Sequence, residues 1–447
     1  MPSDRLFGSL SGTDAMRSAV GDTAWLQAML DTEAALAAAE AAAGLFPVEV
    51  ADLIAGACQA DGFDAGDLGR RAVASGTPVL PLVERLRAIL PDHAARWVHF
   101  GATSQDIVDT AAMLVSRRAL AVILDDLGAA CDCCAVLAES HRSTVMAGRT
   151  LLQQAVPITF GLKAAGWLVA MVEVRARLGE VHRQRLAVQL GGAAGTLAAL
   201  GPAGPSVVSS VAARLGLHEP PLPWHTNRVR VAEVATALGM TLGVAGKVAG
   251  DVILLAQTEV AEVGEAGGSG RGRSSTMPHK RNPVGAVAVT ACVVRGQALV
   301  GALLGSMVQE HERAAGAWQA EWETSSELLA LTGTAVERLR EVLDGLEVDP
   351  ARMRDNLSGS SGLVMAEAVV MALARRIDRV QADTMVAAAG RRAAGSRRSL
   401  ADELAGDDGV LAHLSPSELE AAVEPAGYLG AADHFIDRAL AAWRPEA

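Results

Sequence analysis

Two adjacent serines, Ser274 and Ser275, lie six and five residues ahead of Lys280 in "GRGRSSTMPHKRNPVG", Gly270 to Gly285. The preceding "GEAGGSG" frees the backbone on their N-terminal side, so the stretch reads as a mobile lid. Lys280 and Arg281 supply positive charge, and Asn282, held out of helical geometry by Pro283, supplies an amide. Together these groups can bind a carboxylate. A serine is a poor base in water, so proton transfer through Ser274 requires closure, desolvation and nearby donors. On composition alone the same stretch also reads as a solvated linker.

Three other stretches carry chemistry-bearing residues. In "GATSQD" (101–106) the Thr103 to Asp106 spacing is that of a capping box, which taken alone reads first as an ordinary cap without a ligand, although N–H groups at a helix start favour anions. "QEHERAAGAWQAEWETSSEL" (309–328) places Trp318 and Trp322 one helical turn apart, as core or as pocket lining. "GRTLLQQAVPITFG" (148–161) combines Arg149, Thr150 and Gln153.

Long helices must position these groups. Residues 24 to 43 are uninterrupted helix formers, stopped by Gly44 and Pro47. Between Val231 and Val263 apolar residues recur at Val234, Leu238, Leu242, Ala245, Val248, Val252 and Leu255. That predicts a helix of about 50 Å, whose apolar face needs equally long partners and so implies oligomerisation. Asp349 and Pro350 are placed to start another helix. The reading is an all-α protein in three parts: a helical N-terminal domain (1–102), a central long-helix bundle (103–346) and a small helical C-terminal domain (347–447).

Composition narrows the function. The chain of 447 residues has half its residues apolar but only 3% aromatic, which suits closely packed helices. A net charge of −12 and the lack of a large basic patch argue against nucleic acid as a partner. No signal peptide is recognisable and no apolar run of membrane-crossing length is free of charge, so a cytoplasmic protein without membrane attachment is expected. Five cysteines do not suggest a disulfide framework, and the Cys131, Cys133, Cys134 cluster has no matching ligands at zinc-like spacing, so no metal is expected.

"SSTMPHKRNP" closely resembles the signature loop of the fumarase/aspartase superfamily, and "GATSQD" and "GRTLLQQAVP" resemble two further family blocks. "QEHERAAGAWQAEWET", "PWHTNRVRVAE" and "LQAMLDTEAALAAAEAAAGLFP" resemble its branch of bacterial carboxymuconate cycloisomerases, so the likeness spans nearly the whole chain. The resemblance implies a three-domain all-α homotetramer, with each active site built from the blocks around Ser104, Thr150 and Ser274 of three subunits. It makes Ser274 the base and has Lys280 and Asn282 bind the substrate carboxylate. It assigns substrate binding to Thr103, Ser104, Arg149, Thr150, Gln153, His225, Asn227, Ser275, Met277, His279, Arg313 and Trp318. It implies no metal or organic cofactor, and a small polycarboxylate as substrate.

Four departures from the family pattern bear on chemistry. Leu151 stands where fumarase and adenylosuccinate lyase carry a histidine that assists the leaving group. A carboxylate departs readily as an anion, whereas an amine needs a proton, so leucine suits lactone opening and closure. Trp318 and Trp322 stand where adenylosuccinate lyase uses a serine and an arginine on its phosphate. Arg273 replaces the usual glycine before the serines, and Asn227 replaces a glutamine. A lyase expelling another good leaving group, such as nitrite from nitrosuccinate, also fits Leu151; adenylosuccinate cleavage and a non-catalytic scaffold fit less well. His93, His141, His182, His218, His413 and His434 read as surface or satisfied core residues.

Overall fold

In the computed structural model, residues 8–10, 12–266, 272, 277, 280–396 and 398–444 are described. The fold is all-α, with long helices at α1 (Asp22–Ala42), α2 (Ser104–Ser140), α3 (Phe160–Gln184), α4 (Val229–Leu255), α5 (Val284–Gly305) and α6 (Ala317–Asp344). Four short strands accompany them: β1 (Val145–Thr150) and β2 (Gln153–Thr159) form an antiparallel hairpin, and β3 (Val263–Glu265) pairs antiparallel with β4 (Leu346–Val348).

The chain divides into two compact units. One comprises residues 1–128, 173–246 and 288–338, the other residues 129–172, 247–287 and 339–447. Shorter helices complete each unit, and in the second those after Pro350 gather Val369, Leu373, Val386, Leu400, Leu404 and Leu414 into an apolar cluster.

α1 ends as its sequence dictates, with Gly44 at φ +79° beyond the last turn, a conformation that costs glycine nothing. In α4 every apolar residue of the predicted stripe, from Val234 to Leu255, is buried. The helix stops at Leu255, however, not at Val263, and so spans about 40 Å. Beyond it Glu262 N–H turns back to the Leu255 carbonyl, and Glu262 is fully buried against Arg149. The chain then enters β3. Asp349 accepts from Arg352 N–H with Pro350 in the first turn, as predicted for that helix start.

α5 is the most apolar of these helices, with a mean hydropathy of 1.8 over its best window, yet only 28% of that window is buried. Val284, Val287, Val294 and Leu304 are exposed on it, as are Met240 and Leu254 on α4. By length and composition both helices could cross a membrane. Both also carry charge, Arg295 in α5 and Arg230, Glu233, Lys247 and Asp251 in α4.

Within α1, Glu40 is fully buried and neither carboxyl oxygen has a hydrogen-bond partner. Burial, reinforced by Glu33, pushes its carboxyl up to about 9. The folded chain therefore holds a proton that the unfolded chain releases, and stability falls as pH rises from about 4.5 toward 9. Glu40→Met removes both the unpaired group and the proton. It is expected to stabilise the protein by about 1–3 kcal/mol at pH near 8 and to flatten this slope, as calorimetry across the range would read. Parallel loss of stability in wild type and variant would contradict the assignment.

Candidate active site

In the first unit, candidate site residues gather around the start of α2. Thr103 caps the helix: its N–H donates to Asp106 Oδ2 at 3.0 Å. This is one arm of the predicted capping box. The other is absent, because Thr103 Oγ1 instead accepts from Arg313 Nη1 at 2.6 Å. Arg313 also donates to the Ala193 carbonyl at 2.8 Å, which fixes a half-buried guanidinium over the helix start.

Asp106, read from the sequence only as a cap, is a hub. Its carboxylate accepts from Gly191 N–H at 3.0 Å, Gly192 N–H at 2.9 Å and His225 Nε2 at 2.8 Å, besides Thr103. Gly192 is required here, since its φ is +69° and a Cβ would lie 2.8 Å from the Gly101 carbonyl. His225 is 4% exposed, and its carbonyl accepts from Gln105 at 2.8 Å. Thr103, Ser104, His225 and Arg313 are thereby brought to one helix end, where N–H dipoles favour an anion.

Behind this end lies a buried ionic triad. Arg228 forks onto Asp109 at 2.7 and 3.0 Å and reaches Glu321 at 3.0 Å through Nε. Desolvation opposes its charge, but the two carboxylates hold it firmly protonated. Burial raises the Glu321 carboxyl, against the pull of Arg228. The Trp224 ring lies 4.9 Å beneath the guanidinium.

Trp318 donates to Asp109 at 3.0 Å and is 4% exposed; it meets Trp322 edge-on at 4.8 Å. Trp322 Nε1 is buried without a partner beside a cavity of about 30 Å³. Trp318 thus packs as core and supports the triad, while Trp322 is half-buried beside it. Asn227 is exposed, and its Oδ1 accepts from Val229 N–H at 3.3 Å at the start of α4. A shorter side chain than glutamine suits that local turn.

The second unit presents the β1–β2 hairpin. Leu151 and Leu152 form its tip at φ +50° and +63°, and Leu151 is 97% exposed. Gly148 sits in a bulge where a Cβ would be 2.7 Å from the Val156 carbonyl. Arg149 is half-buried and bidentate to Glu262, at 2.9 and 2.6 Å, and Asn356 adds a donor to Glu262 at 2.9 Å. Arg149 therefore braces the hairpin, while Thr150 and Gln153 are exposed beside the tip. Burial pushes the nearby Lys163 ammonium down, with Asp251 opposing.

The base of the signature loop is tied at both ends. Glu265 in β3 caps α5, accepting from Gly285 N–H at 3.0 Å and Ala286 N–H at 2.9 Å. Arg281 donates to the Glu265 carbonyl at 2.7 Å and pairs with Glu347 at 2.9 Å. Asn282 donates through its side chain to the Gly272 carbonyl at 3.2 Å, and Lys280 and Met277 are exposed. Ser274, Ser275 and His279, like Arg273, lie outside the described residues.

Asp109, Arg228, Glu321, Glu262 and Asn356 were missed from the sequence, because their partners are 93 to 119 residues away. Among the described residues, no three His, Cys, Asp or Glu side chains cluster so as to hold a metal ion.

Comparison with known proteins places these blocks in a family. Residues 9–297 match the model described as "Lyase", and residues 362–439 match "Adenylosuccinate lyase C-terminus". A 3-carboxy-cis,cis-muconate cycloisomerase of Bradyrhizobium diazoefficiens is 47% identical, covering 97% of each chain. A nitrosuccinate lyase of Streptomyces davaonensis is 42% identical, covering 95% of this chain and 92% of its own. The crystal structure of 3-carboxy-cis,cis-muconate lactonizing enzyme from Pseudomonas putida superposes with a TM-score of 0.93 at 42% identity, covering 98% of this chain and 99% of that one.

Proposed function

The chain belongs to the fumarase/aspartase superfamily of lyases, and from that premise we propose that it is a 3-carboxy-cis,cis-muconate cycloisomerase of aromatic (protocatechuate) degradation. The observation that carries the choice of chemistry is Leu151. The hairpin tip within the 148–161 block presents an exposed leucine, with no proton to give a leaving group. Lactone opening expels a carboxylate, which needs none.

In the lactonising direction a substrate carboxylate adds to the double bond. The resulting carbanion is delocalised onto the adjacent carboxylate as an aci-carboxylate. Lys280 and Asn282 stabilise that charge, and a proton arrives through Ser274; the reverse reaction removes it by the same serine. Thr103, Ser104 and Arg313 hold a second carboxylate at the α2 N-terminus, and His225 is oriented by Asp106. No step uses a metal or organic cofactor.

The apolar surface left open on α4 and α5 supports a homotetramer whose subunits cover it and share their active sites. The charges on both helices would be costly in lipid, which favours a soluble, cytoplasmic enzyme. The three-part division at residues 102 and 346 is retained for this assembly. Nitrosuccinate elimination is the second reading, favoured by the same Leu151 and by the 42% identical relative.

Incubation of the purified protein with 3-carboxy-cis,cis-muconate is expected to bleach the diene absorbance with ordinary enzyme turnover. Absence of bleaching, with rapid nitrite release from nitrosuccinate, would select the second reading.

A further inference from the structure

We propose that Glu33 and His99 are positioning residues, a buried carboxylate–imidazole pair that holds the segment leading into Thr103 and Ser104 in the shape that binds an anion. The proposal rests on the assignment of Thr103 and Ser104 to a substrate carboxylate.

His99 Nδ1 lies 2.6 Å from Glu33 Oε1, with side-chain exposures of 15% and 1%. Glu33 comes from the middle of α1, so the pair ties this segment to a rigid core helix. The segment needs such a tie. His99 is at φ +61° and Gly101 at φ +68°, and a Cβ on Gly101 would strike the Leu200 side chain at 2.7 Å. Trp97 and Phe100, packed at 5.1 Å, flank His99 on either side in sequence.

Three charged groups from three helices face the imidazole: Glu33 from α1, Asp106 from α2, and Arg87 from the helix Val79–Ala88. Burial works against the imidazolium and so does Arg87, but Glu33 and Asp106 outweigh them and raise the His99 pKa. Glu40, seven residues along the same helix, shows the alternative: a buried carboxyl without a partner that stays protonated. A charged hydrogen bond at His99, four and five residues before Thr103 and Ser104, fixes the backbone that enters the helix end more firmly than a neutral one would.

The test titrates tricarballylate, an inert tricarboxylate, into wild type, Glu33→Gln and His99→Asn by calorimetry across about pH 6 to 9. Wild-type affinity is expected to hold through neutrality and to fall at pH above the ordinary histidine range. In Glu33→Gln the fall should move to lower pH, leaving affinity about tenfold weaker at neutrality, and His99→Asn should be weak at every pH. Circular dichroism establishes that each variant is folded. Affinities and pH midpoints unchanged in both folded variants would overturn the proposal, as would equal weakening of Glu33→Gln at all pH values. Because binding is read without turnover, loss of the cycloisomerase assignment would leave this result interpretable. Failure of wild type to bind any tricarboxylate would instead overturn the anion-site reading, and this proposal with it.

Discussion

Ser274→Ala is expected to fold and assemble like the wild type and to lose on the order of 10²–10⁴ in kcat, the span of a positioned proton-transfer group. The substitution removes one hydroxyl from a glycine-rich stretch of sequence, so the loss is expected to fall on chemistry, not on stability. Ser275→Ala should lose much less. The same variant tests the shared site. Mixed with an inactive Thr150→Ala protein under conditions that exchange subunits, it should regain up to about a quarter of wild-type activity, since some sites then draw both intact blocks from different chains. Greater damage from Ser275→Ala, with both proteins folded, would reassign the base. A fully active monomer would sink the shared site.

Arg228→Met is expected to have the largest effect on stability, about 3–5 kcal/mol, read as a lower unfolding midpoint at fixed protomer concentration. Arg228, Asp109 and Glu321 have side-chain exposures of 2%, 3% and 5%. Removing the guanidinium leaves two buried carboxylates facing each other, and each can relieve the strain only by taking up a proton. Their folded-state pKa values then exceed the unfolded ones, so the variant's deficit grows as pH rises through the carboxylate range and shrinks in acid. A deficit independent of pH would show that lost packing against Trp224, not uncompensated charge, dominates.

The parts of this fold legible in the sequence are those governed by local rules. Gly44 and Pro47 end α1, Asp349 and Pro350 start a helix, and the three-to-four-residue apolar stripe of α4 is buried throughout. The β1–β2 hairpin was not legible, because its turn carries two leucines at positive φ in place of the Asn or Gly that marks such turns. The end of α4 is set by Glu262 reaching Arg149, a partner 113 residues away that periodicity cannot see. In the site, the blocks were visible but their internal wiring was not. Asp106 satisfied a local spacing rule while serving a buried histidine 119 residues distant, and Trp318 turned out to support Asp109. His99 escaped notice altogether, since nothing local distinguishes it and Glu33 lies 66 residues earlier.

Steady-state kcat/KM measured side by side for 3-carboxy-cis,cis-muconate, nitrosuccinate and adenylosuccinate tests the central claim, that a site without a leaving-group acid at Leu151 serves expulsion and addition of a carboxylate. The account predicts efficient turnover of carboxymuconate and negligible cleavage of adenylosuccinate, whose amine needs a proton and whose phosphate finds Trp322 in place of an arginine. Robust adenylosuccinate cleavage with no turnover of carboxymuconate would contradict both the leaving-group argument and the function built on it.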